Sequence, residues 1–139
     1  MKFALAPLAL LFVPAMLAAQ SAPQPAPQPA PPPEPAAEPA PLSLESRTAL
    51  RCSAAFAIVA DGQARGNKDA LVWPALGERG REFFVRTSAR VMDDTGMDRA
   101  AVANELQTQA QELWESGGLG GKIGQVMPAC LLLLEASGV

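Results

Sequence analysis

The sequence predicts an all-α fold: a small bundle of four main helices, preceded by a signal peptide and a disordered proline-rich segment. Three observations carry this. Apolar residues recur at the three- and four-residue spacing of a helix face through residues 43–136. Capping residues and glycines punctuate those runs at helix length. No run alternates apolar and polar residues as a half-buried strand would.

The first element is the leader. Met1 and Lys2 give a short positive start, and residues 3–17 carry no charge and are mostly Ala, Leu, Phe and Val. Leu17, Ala18 and Ala19 then offer a small-residue cleavage site, so residues 1–19 read as a secretory signal peptide with Gln20 as the first mature residue. The alternative is an uncleaved anchor in the inner membrane. An apolar run of about 15–17 residues is at the bottom of the range that spans a bilayer, and Pro7 and Pro14 interrupt it. No cysteine lies near the cut, which excludes a bacterial lipid anchor on the first mature residue. Export to the periplasm is the expectation, with full secretion as an alternative.

Residues 20–41 form the second element, a Pro/Ala-rich linker or tail. Ten of the nineteen residues from 23 to 41 are proline, and the others are Ala, Gln and Glu. Proline fixes φ and removes a backbone donor, which excludes helix and sheet. With no large apolar side chain to bury, the segment cannot offset its ordering entropy. Extended as polyproline II at about 3.1 Å per residue, it reaches roughly 60 Å. It reads as a spacer, a solubilising tail, or a ligand for a proline-binding groove.

Residues 42–139 have the size and composition of one helical domain. Ser43 is the expected N-cap of a helix running to about Arg65, with Gly66 as its stop. Cys52, Ala55, Phe56 and Val59 mark its buried face, and Gly62 is expected to fray its last turns. A short helical turn follows from Lys68 to Trp73, ended by Pro74. The next helix runs from about Glu78 to Thr95, with Phe84, Ser88, Val91 and Met92 on one side and Gly96 after its end. Asp98 caps the helix after that, and Met97 is placed to staple onto Val102. Its apolar stripe is Val102, Leu106, Ala110, Leu113 and Trp114, and Gly117 and Gly118 stop it. The last helix covers roughly Gly121 to Ala136, with Ile123, Val126, Met127, Cys130, Leu131 and Leu134 at helical spacing. Pro128 either kinks it or marks the first turn of its second half. The expected core is Phe56, Val59, Phe84, Val91, Leu106, Leu113, Ile123, Met127, Leu131 and Leu134, with the first and last helices packed together.

Cys52 and Cys130 are the only cysteines, and each lies on the apolar stripe of one of those two helices. In an exported chain they read as a structural disulfide, since no CxxC arrangement tunes a thiolate. Two unrelated buried thiols are the plainer alternative.

Several chemistries are excluded or disfavoured. The chain has no histidine, which removes histidine-dependent nucleophilic catalysis and histidine-ligated zinc sites, and two cysteines are too few for a four-thiolate site. The Asp-Thr-Gly at residues 94–96 matches an aspartic-protease triplet but ends a helix and has no second copy. Asp93, Asp94 and Asp98 lack the alternating ligands and distal Glu of a calcium loop. The glycine-rich stretch before Lys122 has Ser116 and Ile123 where a phosphate loop needs Gly and Ser or Thr. Residues 42–139 hold ten Lys or Arg against twelve Asp or Glu, a net charge of −2, which excludes nucleic acid as a partner. No catalytic, metal or cofactor-binding residue is assigned.

One charged feature stands out. Arg79, Arg86 and Arg90 fall on one face of the third helical segment and, with Trp73, form a candidate ligand or partner face. The competing reading is a solvated surface, because Glu82 pairs with Arg86 and Glu78 with Arg81 at helical spacing. Trp73 and Trp114 have the chemistry to line a ligand groove, but in a chain with only 5% aromatics the favoured reading places both in or near the core.

The segment ALVWPALGERGREFFVRTSARVMDDTG, with a cysteine helix before it and PACLLLLEAS after it, resembles small exported helical proteins of Gram-negative bacteria that carry a cysteine in the first and last helices. The resemblance covers most of the stretch from Leu44 to Ser137. It implies an exported helical domain with a cysteine pair and transfers no activity, cofactor or site. The expected function is a non-enzymatic envelope protein that binds another envelope protein or a cell-wall component, with no membrane span once the leader is removed. The alternatives are a periplasmic stress-protective, chaperone-like protein and a small enzyme of unrecognised type.

Overall fold

The computed structural model describes residues 38–139. The leader at residues 1–19 and residues 20–37 of the linker lie outside the described residues, and the linker's last four residues, 38–41, are without helix or strand. Within the described residues the elements are α1 (Leu44–Ala64), α2 (Lys68–Leu71), α3 (Gly77–Thr95), α4 (Arg99–Glu115), a 3-10 turn (Gly118–Gly120) and α5 (Lys122–Ala136). No strand occurs among them. The fold is the expected all-helical bundle of four main helices.

Local chemistry sets the helix ends. Ser43 holds extended backbone and its Oγ accepts from the Ser46 N–H at 3.0 Å, which starts α1. Asp98 does the same for α4, accepting from the Ala101 N–H at 2.8 Å. Gly66 and Gly96 both turn to positive φ just beyond α1 and α3. The turn between α3 and α4 is pinned further by Thr95, whose Oγ1 donates to the Val91 carbonyl and accepts from the Met97 N–H. Helix α3 has no side-chain cap. Instead the Gln63 side-chain amide of α1 clamps the approach to it. Gln63 Nε2 donates to the carbonyls of Ala70, Trp73 and Pro74, and its Oε1 accepts from the Leu76 N–H.

Helix α1 is the axis of the bundle, in contact with each of the other helices. It is therefore buried on more than one side. Residues 52–56 are buried in unbroken succession, where an amphipathic surface helix would expose some of them. Small side chains at Ser53, Ala54 and Ala55 let neighbours approach on all sides. Gly62 is buried rather than frayed. A Cβ there would lie 2.8 Å from the Cβ of Ala70, so the crossing of α1 and α2 depends on its absence.

The main core joins α1, α3, α4 and α5 around Cys52, Phe56, Val59, Leu76, Phe83, Leu113, Ile123, Met127, Cys130 and Leu134. The Sγ atoms of Cys52 and Cys130 are 2.08 Å apart, at bonding distance, and tie α1 to α5 as expected. Phe56 and Phe83 meet edge to face with ring centroids 5.3 Å apart. A second, smaller cluster of Leu50, Val91 and Val102 fills the space beneath the turn from α3 to α4. Leu42, Met92, Met97 and Leu106 cover it, so Met97 packs against the cluster to which Val102 belongs.

The expected core needs correction at three places, and the expected placing of Trp114 at a fourth. Phe84 is 38% exposed and Phe83, at 4%, takes its place. The buried stripe of α3 runs through Gly80, Phe83, Thr87, Val91 and Thr95. Adjacent residues on a helix point about 100° apart, so only one of two neighbouring aromatics can face the core. Leu106 and Leu131 are only partly buried, each at the edge of its cluster. Trp114 is 59% exposed. Its neighbour Leu113 faces the core, and the indole instead covers Gly118, where an added Cβ would sit 3.6 Å from the ring.

Candidate binding face

Helices α3 and α5 both pack on α1 but hardly touch each other. The gap between them leaves an open cleft of about 660 Å³. Its floor is apolar, with Ala49 from α1, Phe83 and Val91 from α3, and Leu133 and Ala136 from α5. Its rim is polar, with the Ser43 and Ser46 hydroxyls, Thr87, Arg86 and Arg90, and the carboxylates of Glu45 and Asp94. A second cleft of about 640 Å³ lies beside it along the outer side of α3, lined by Glu78, Arg79, Arg81, Glu82, Val85 and Arg86 together with Gly138 and Val139.

The three arginines singled out from the sequence do share this side of α3. Arg86 and Arg90 border the first cleft, and Arg79 and Arg86 border the second. Their partners differ. Arg86 Nε donates to Glu82 Oε1 at 2.8 Å, one turn back on the same helix. Arg90 stands 4.0 Å from Glu45 across the cleft, and both are largely exposed. Exposed pairs of this kind hold their side chains weakly, at about 0–1 kcal/mol, so a competing anion can recruit either guanidinium. Arg79 is held more firmly. Its Nε and Nη2 donate to the main-chain oxygen of Val139 at 3.0 and 2.8 Å, and Nη2 also reaches Glu135 Oε1 at 2.8 Å.

Trp73 does not join them. It lines neither cleft and packs partly buried against the main core, beside the segment that Gln63 clamps. Its indole Nε1 is buried without a hydrogen-bond partner. The face is therefore Arg79, Arg86 and Arg90 without the tryptophan.

Sequence reasoning missed Gly138 and Val139. Gly138 takes φ 72° after α5, and Val139 folds back onto the main core. A glycine just past a helix followed by an apolar residue is the pattern of a left-handed cap with its hydrophobic contact, so the signal was present in the last three residues.

Other polar groups are engaged in the scaffold. Arg51 of α1 reaches Gln109 Oε1 at 3.4 Å and Glu112 Oε2 at 3.2 Å on α4. Gln109 is buried and donates to Glu105. Among the described residues no three Cys, Asp or Glu side chains gather as metal ligands, and no helix is long and apolar enough to cross a membrane. No protein-family model, curated protein or solved structure matches this chain.

Proposed function

We propose that the chain is an exported, non-enzymatic protein of the bacterial envelope that binds an envelope protein or a cell-wall component through the outward side of α3. The observation that carries this reading is the cleft between α3 and α5. It combines an apolar floor with two arginines that only exposed partners hold. A cleft of this size suits a small ligand or an extended segment of a larger one. The bonded cysteine pair fits an oxidising compartment, and the leader read from residues 1–19 points to the periplasm. The linker at residues 20–41 gives the domain reach.

The test is photo-crosslinking in living cells followed by mass spectrometry. A crosslinking residue placed at Val85, which is exposed and lines the second cleft, should enrich one or a few envelope components. The same residue at Gln107, exposed on α4, should not. Deleting residues 23–41 should weaken capture. Equal background capture from both positions would contradict the reading, as would turnover of a small-molecule substrate by the purified chain.

A further inference from the structure

We infer that Gly138 and Val139 form a plug seated in the binding face, and that the seat beneath Val139 accepts an extended peptide ending in a small apolar residue with a free carboxylate. The inference rests on the reading of α3 as the binding face and adds its ligand class and its control.

Three observations place the plug. First, Val139 and Arg86 are the two residues common to both clefts. Val139 is thus the partition between them, and its departure would merge them. The merged site would present Arg79, Arg86 and Arg90 along one side of α3, spaced seven and four residues apart and so on a single helical face. Second, the seat already holds the kind of group it would recognise. An apolar side chain rests on the core, and a main-chain oxygen receives two N–H bonds from Arg79. A carboxylate on an incoming peptide can receive the same two N–H bonds from that guanidinium. Third, the plug hangs on one turn. Gly138 stands at φ 72°, and a Cβ added there would meet nothing within 4 Å. A substitution at Gly138 therefore strains the turn without crowding the core.

That last point supplies the experiment. Gly138→Val forces a β-branched residue into the left-handed region. The strain should raise the open fraction about tenfold, and the apparent affinity rises by the same factor. The measurement is an NMR titration of the full chain with acetyl-glycyl-valine, as the free acid and as its amide. The acid should bind Gly138→Val about tenfold more tightly than the unsubstituted chain. Gly138→Ala should move in the same direction by less. Gly138→Val with Arg79→Gln should lose the gain, and the amide should bind no variant well. Equal affinity of the acid for Gly138→Val and the unsubstituted chain would overturn the plug while leaving α3 as a binding face. Undiminished binding to the double variant, or of the amide, would overturn the proposed ligand class. Binding by none of the forms would overturn the plug as well, and the crosslink at Val85 then decides the binding face independently.

Discussion

On the side where α1 meets α4, an arginine is absorbed into the scaffold. Arg51 is 26% exposed and spans the two helices to Gln109 and Glu112, so its guanidinium helps to hold the buried amide of Gln109 in place. On the side where α3 turns outward, Arg86 is 56% exposed and is paired only with a residue of its own helix. The same side chain serves cohesion in one place and is left at the rim of a cleft in the other. The cause is packing. Helix α4 lies along α1 and closes the distance between them, whereas α3 and α5 lean on α1 and stay apart. A charged residue between touching helices becomes structural, and one beside a gap remains free for a partner.

The contrast can be tested by substitution, starting with what both sides share. Replacing both cysteines, Cys52→Ala with Cys130→Ala, removes a link across 78 residues and should cost about 4 kcal/mol of unfolding free energy in the chain-entropy model. Urea denaturation measures this, and a loss below about 1 kcal/mol would mean that packing alone holds α1 to α5. Next is the register of α3, on which the outward direction of its arginines depends. Phe83→Ala should cost about 3–4 kcal/mol by opening a cavity beside Phe56, and Phe84→Ala less than about 1. Equal costs would mean that α3 is rotated from the position described, and its arginines with it. Arg51→Ala should cost about 1 kcal/mol, because it leaves buried Gln109 with one partner fewer. The smallest effect belongs to the open side, where Arg86→Gln should change stability by less than about 0.5 kcal/mol. If Arg51 and Arg86 substitutions cost the same, the distinction between the two sides fails.

Much of the fold was legible because helix ends are decided locally. Ser43 and Asp98 cap through their own side chains, and Gly96 stops α3 through its own φ, so one sequence suffices to find them. The cysteine pair was legible because both residues sat on apolar stripes of a chain whose first residues read as an export signal. What escaped depends on neighbours distant in sequence. Phe83 and Phe84 are indistinguishable by type. The residues that break the tie, Gly80, Thr87 and Thr95, are small or polar and register weakly as a stripe. Gly62 looks like a weak point of α1 until Ala70 is seen to fill the place of its missing side chain. Trp114 was expected in or near the core because it is large and apolar, yet Leu113 beside it claims the inward direction. For the candidate site, the shared face of Arg79, Arg86 and Arg90 followed from spacing alone. The gap that gives the face its cleft comes from the splay of α3 and α5, which no local pattern encodes. Trp73 is near those arginines in sequence but is drawn to the core.

The central claim is that the outward side of α3 binds while the rest of the domain holds it in shape. The most direct measurement pairs a melting temperature with capture for one variant, Arg86→Gln with Arg90→Gln, carrying the crosslinking residue at Val85. The account predicts a melting temperature within about 4 °C of the unsubstituted chain and capture reduced to the level seen from Gln107. Undiminished capture with both arginines removed would contradict it, and so would a fall in melting temperature as large as that of Phe83→Ala.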